Sequence, residues 1–157
     1  MKQNLDSIDR QLLALLQQDA ETPLAELADA VHLSNTPCWR RIQWLREKGY
    51  ITRHVALLDP RKVNVGVTVF VAVKTNQHHA QWFETLREAV MDIPEIVEFY
   101  RMSGDVDYLL RVVVPDIRAY DTVYQRLTKA VSLSDVSSSF AMEEIKFTTA
   151  LPLNYAQ

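Results

Sequence analysis

Cysteine occurs once in the 157 residues, at Cys38, so the chain can close no internal disulfide. No Cys-x-x-Cys pair or Cys/His grid is present to hold zinc, and a reducing compartment fits the count. No apolar run reaches the roughly 18 to 20 residues that cross a bilayer. The opening residues Met1, Lys2, Gln3, Asn4, Leu5 and Asp6 lack the apolar block of a signal peptide, so a cytoplasmic protein without membrane contact is expected. No nucleophile and base stand together in a readable motif, which argues against an enzyme. His78 and His79 are adjacent and project about 100° apart on a helix, a poor geometry for sharing a metal. No metal or cofactor is expected.

A hydrophobic fraction of 48% excludes a mainly disordered chain, and the length allows one ordinary domain or two small ones. The net charge of −3 speaks against a nucleic-acid partner only if charge is spread evenly, and here it is not. Between positions 39 and 62 stand seven basic residues against two acidic ones, a local +5 that leaves −8 for the rest of the chain. Such segregation fits a face made for a polyanion, although a short basic helix end is also ordinary surface.

Apolar spacing divides the chain near residue 60, into an expected DNA-binding domain over 1–60 and a second domain over 61–157. Asp6 is a candidate cap for a first helix carrying Ile8, Leu12, Leu13, Leu15 and Leu16 and ending near Gln18. Thr22 and Pro23 open a short second helix with Leu24, Leu27, Ala28 and Val31 inward. Ser34 caps a third, with Pro37 in its first turn, which stops at Gly49. Three short helices with a tight second junction make a helix-turn-helix, and the β-like run over 50–58 is expected to add a small wing.

The second half reads strand over 67–75, helix over 79–91, strands over 96–102 and 108–114, a helix capped by Asp116, and a last strand over 136–145, extending at most to 151. That order, βαββαβ, is the ferredoxin-like arrangement of an α+β fold, with two helices on one face of an antiparallel sheet. The other face, carrying Thr68, Phe70 and Ala72, is also largely apolar, so a second protomer is expected to cover it.

The third helix carries the candidate chemistry. Cys38, Ile42 and Leu45 form the stripe that packs inward, whereas Ser34, Asn35, Thr36, Pro37, Trp39, Arg40, Arg41, Gln43 and Arg46 are free to meet double-stranded DNA. The helix start suits phosphate, arginine suits guanine edges, and Gln43 suits adenine. Plainer roles stand beside these: Ser34 as a cap only, Arg41 and Arg46 as solvated surface, Trp39 and Trp44 as packing residues, and Cys38 as a small buried hydrophobe. At Gly104, Asp105 and Asp107 a tight turn accounts for the residues, and no third carboxylate stands nearby to make a metal site.

The run Leu33, Ser34, Asn35, Thr36, Pro37, Cys38, Trp39, Arg40, Arg41, Ile42, with Leu45 to Ile51, Ala56 to Pro60, Ser103 to Arg111 and Met142 to Lys146, resembles the Lrp/AsnC family, the leucine-responsive and asparagine regulators. The resemblance implies a transcription regulator with a winged helix-turn-helix and a RAM-type ferredoxin-like domain. It implies dimers that commonly assemble into octamers and bend or wrap DNA. It also implies a free amino-acid effector held between protomers, with Met102, Gly104, Asp105, Asp107 and Tyr108 on one side and Ser138, Ser139, Phe140 and Ala141 on the other. Trp39 and the Ser-Ser-Ser-Phe-Ala-Met block resemble the cysteine-responsive branch, and the small wall suits cysteine or another small amino acid. A ligand-independent DNA-organising protein is the alternative from a different class.

Overall fold

A computed structural model describes residues 4–77 and 79–156, in two compact units. His78, one of the two adjacent histidines, the first three residues and the last lie outside the described ones.

The first unit holds three helices: α1 (Ser7–Gln18), α2 (Leu24–Ala30) and α3 (Asn35–Glu47). Asp6 caps α1 reciprocally, its carboxylate accepting from the Asp9 N–H at 2.8 Å while Asp9 accepts from the Asp6 N–H at 3.2 Å. The cap of α2 is Pro23 rather than Thr22, whose hydroxyl instead donates to the Asp19 carbonyl at 2.9 Å. Between α2 and α3 the chain turns through His32 in the left-handed region, φ 56°, and the Leu33 N–H returns to the Ala28 carbonyl at 2.9 Å. After α3 the left-handed residue is Gly49, φ 78°, and the Tyr50 N–H bonds back to Leu45 at 2.9 Å in a Schellman closure. Leu12, Leu27, Ala28, Val31, Cys38, Ile42 and Leu45 form the core. Cys38 is fully buried, and that burial pushes its thiol pKa up, in keeping with a packing role.

Two expectations are revised in this unit. Residues 51–58 pair with no strand among the described residues, so the wing does not form, since a ladder needs a second strand. The tail, 146–156, clusters with the first unit and not with the sheet, against the division at 60. Its anchor is Gln17, whose side-chain amide donates to the Leu151 carbonyl at 3.0 Å and accepts from the Leu151 N–H at 2.9 Å.

The second unit, 57–145, contains β1 (Val67–Lys74), α4 (Ala80–Met91), β2 (Ile96–Arg101), β3 (Tyr108–Val114), α5 (Ile117–Ala130) and β4 (Asp135–Phe140). The sheet order is β2-β3-β1-β4, antiparallel throughout, as the ferredoxin-like order requires. β4 ends at 140, short of the expected 145. Val69, Val71 and Val73 of β1 and Leu110, Val112 and Val114 of β3 point to the helices and meet Trp82, Leu86, Val90, Tyr120, Val123 and Leu127. Ile117, the first residue of α5, is exposed. His79 caps α4 by accepting the Trp82 N–H on Nδ1 at 3.2 Å. The opposite sheet face carries Phe70, Leu109, Arg111, Glu98 and Tyr100, with Arg111 donating to Glu98 at 2.8 Å.

Candidate nucleic-acid interface and effector cleft

Helix α3 is amphipathic in the sense the spacing required. Cys38, Ile42 and Leu45 are buried, while Ser34, Asn35, Thr36, Pro37, Trp39, Arg40 and Arg46 are exposed and Gln43 is half-buried. Ser34 stands at the N-cap, but its side chain makes no capping bond, so its hydroxyl stays available. Among the described residues neither Arg40 nor Arg46 has an ion-pair partner. Trp44 turns away from this row, its ring centroid 5.7 Å from that of Tyr50.

Arg41 behaves differently from its neighbour. Its Nη1 donates to Asp6 Oδ2 and to Asp9 Oδ1, each at 2.7 Å, which ties α3 to the start of α1. Burial alone would raise the Asp6 pKa, but the Asp9 N–H and the Arg41 guanidinium outweigh it and hold that carboxyl below its usual range. The two carboxylates in turn raise the Arg41 pKa. Two aspartates therefore already neutralise one of the basic residues counted toward the cationic stretch. Asp6 as the cap of α1 was legible; the reach of Asp9 to a side chain 32 residues away was not.

In the second unit the expected effector residues separate. Tyr108, Val73 and Val136 share one rung, whereas Phe140 pairs with Val69 four residues along. At about 3.3 Å per residue and about 4.8 Å per strand, Tyr108 and Phe140 lie about 16 Å apart in the sheet. Within one protomer the turn over 102–107 and Ser138, Ser139, Phe140 and Ala141 do not meet.

The residues also divide between faces. Tyr108 is 7% exposed and ringed by Trp82, Phe83 and Phe99 at 5.6 to 5.9 Å, so it belongs to the helix-covered core. It forms one wall of a cavity of about 240 Å³ with Gln77, His79, Ala80, Trp82, Phe83 and Arg101. Ser138 hydrogen-bonds the Tyr120 hydroxyl, and Phe140 sets its ring edge-on to Tyr120 at 5.4 Å, so both look toward α5. Burial pushes the Tyr120 pKa up, against the Ser138 contact. Ser139, one residue on, projects to the open face, as strand alternation demands. Asp107 accepts the Thr75 N–H on Oδ2 at 2.8 Å and closes the turn with its own backbone. Met102, Gly104 and Asp105 are exposed at the tip, with Gly104 at φ 106°.

A three-helix unit with a basic outer row, followed in the chain by a ferredoxin-like unit whose second sheet face is left uncovered, defines a DNA-binding regulator of the helix-turn-helix class. Residues 5–46 match the AsnC-type helix-turn-helix domain and residues 68–151 the Lrp/AsnC ligand binding domain. The chain belongs to the Lrp/AsnC family of transcription regulators. It is 51% identical over 150 residues to the DNA-binding transcriptional activator DecR of Escherichia coli (strain K12), covering 95% of this chain and 99% of the relative. Among solved structures, it is similar to an AsnC family transcriptional regulator from Agrobacterium tumefaciens, with TM-score 0.93 and 58% identity over 96% of this chain and 99% of the other. It is also similar to a transcriptional regulator from Neisseria meningitidis in complex with L-Met, with TM-score 0.91 and 34% identity over 96% and 97%. The expected class, α+β fold and family are thus borne out, and the relatives are regulators rather than enzymes. No described helix is long and apolar enough to cross a membrane.

Proposed function

We propose that this regulator binds specific duplex sites through α3 and that a small free amino acid, held between protomers of the second unit, modulates its activity. The observation that carries the DNA half is the outer row of α3. Asn35, Thr36, Trp39, Arg40 and Arg46 are all exposed, and among the described residues none of these side chains makes an ion pair. Ser34 and the helix start meet phosphate, Arg40 and Arg46 meet phosphate or guanine, and Gln43 meets an adjacent base edge. Arg41 remains with α1 and acts by holding the reading helix.

The separation of the turn from β4 supports an intermolecular pocket. If Met102, Gly104, Asp105 and Asp107 act with Ser139 and Ala141, a second chain must supply one of the two groups. Asp107 has Oδ1 free of the Thr75 bond, and so keeps one oxygen for an ammonium group. A homodimer, assembling further to an octamer, places paired reading helices in successive major grooves and asks for half-sites about one helical turn apart. The L-Met complex of the Neisseria meningitidis regulator supports an amino-acid effector. The small Ser137 to Ser139 wall favours cysteine or another small side chain.

The test is a melting screen of the full chain with each of the twenty amino acids, joined to a duplex titration with each stabilising one. A ligand present at 100 times its Kd should stabilise by about 2.7 kcal/mol. One or a few small amino acids should raise the melting temperature and change duplex affinity. If every amino acid leaves affinity unchanged, the ligand-independent DNA-organising reading replaces this one.

A further inference from the structure

We propose that Trp39 reads thymine, packing its indole against the C5-methyl group of one thymine in each half-site. The inference rests on α3 lying in the major groove, as proposed above, and adds what this one residue recognises.

Trp39 is 51% exposed, in the middle of a helix whose other large apolar side chains are turned inward. It stacks on no other ring among the described residues, in contrast to Trp44 on Tyr50, and its indole N–H has no described acceptor. Folding of the unit therefore leaves much of this side chain in water, where an indole is held at a cost. Its place on the helix is specific: Asn35 and Thr36 lie one turn before it and Gln43 one turn after, with Arg40 beside it, so polar and cationic groups frame a single apolar plate.

The major groove offers that plate one kind of apolar partner. Guanine, adenine and cytosine present donors and acceptors there, and only thymine presents a methyl group. Arg40 and Gln43 can satisfy polar edges on either side, and the indole has little to gain from them beyond its one N–H donor. A wedge between base steps is a minor-groove device, unlike a helix entering the major groove.

The experiment uses the full chain and a duplex enriched from a randomised pool by the unaltered protein. Each thymine of that duplex is replaced singly by deoxyuridine, which removes the methyl group and leaves base pairing intact. Affinities are read by fluorescence anisotropy for the unaltered chain, Trp39→Ala and Trp39→Phe, with melting curves as a check on folding. Removing the methyl that Trp39 covers should weaken the unaltered chain about fourfold, the worth of one buried methyl. That penalty should vanish in Trp39→Ala and persist in part in Trp39→Phe, which keeps an apolar ring and serves if the alanine variant does not fold. An undiminished uridine penalty in both variants overturns the proposal, as does a duplex with no methyl-sensitive thymine. Failure to enrich any duplex at low ionic strength would instead overturn the reading of α3 as a DNA-contacting helix.

Discussion

Arg40 and Arg41 are adjacent arginines on one helix, but Arg41 bonds Asp6 and Asp9 while Arg40 has no ion-pair partner among the described residues. Arg41→Ala removes two charge-assisted bonds of 2.7 Å and leaves Asp9, whose side chain is 7% exposed, without its cation. A bond to a buried charge is worth about 1.5–3 kcal/mol, and the Asp6 half, 47% exposed, contributes less because water screens it. A loss of about 2 kcal/mol follows, which for a unit of this size lowers melting by about 10 °C. Arg40→Ala breaks no described ion pair and should melt with the unaltered chain. Duplex titration over a range of salt separates the two further. Losing one phosphate contact at Arg40 reduces the slope of log affinity against log salt by about 0.9, whereas Arg41→Ala should keep the slope. Calorimetry and anisotropy on the same samples decide the matter. If Arg41→Ala melts normally while its salt slope falls, the fork to α1 is not what holds this residue, and the argument for its structural role is wrong.

Against the upward push of burial, the N-terminal cap of α1 and the Arg41 guanidinium hold the Asp6 carboxyl below the ordinary aspartate value in the folded chain, so its stabilising contribution is complete above that ordinary value and is lost as pH falls through the folded pKa. Helical content of the first unit should decline with acid below that ordinary value, and Asp6→Asn should flatten that decline in a circular-dichroism titration. Asp107→Ala should cost about 1–2 kcal/mol, because the Thr75 N–H loses its acceptor. Asp107→Asn keeps an acceptor there and should melt nearly normally while losing the amino-acid response, a pair of outcomes that thermal shift with and without ligand reads directly. Phe70 is 41% exposed at the centre of the uncovered sheet face. Phe70→Asp should reduce the assembly to monomers in sedimentation, and an unchanged mass would place the dimer contact elsewhere.

How much of this was legible beforehand depends on the range of the interaction concerned. The three-and-four spacing of Ile8, Leu12 and Leu15 in α1, Leu24 and Leu27 in α2, and Cys38, Ile42 and Leu45 in α3, the proline in the first turn of α3 and the glycine after it describe local helices, because each marks a face or an end of the element it sits in. The alternation in β1 and β3 did the same for the sheet, and the order βαββαβ left one ordinary way to close it. Strand parity also carried a warning that adjacent Ser138 and Ser139 look to opposite faces, so they could not line one wall of a single chain. The isolated run at 51–58 had strand-forming residues but no second strand to pair with, and β propensity alone does not supply one.

By itself, the sequence determined the elements, their order, the inward stripe of α3 and the family, since all of these rest on periodicity and on residues close together in the chain. Tertiary structure alone decided that Arg41 belongs to Asp6 and Asp9, that the tail is held by Gln17, that Tyr108 is core, and that the turn and β4 stand apart. These depend on which distant groups packing brings within 3 Å of one another. No local pattern encodes that, because a charge or an amide is equally content with any partner that folding places in reach.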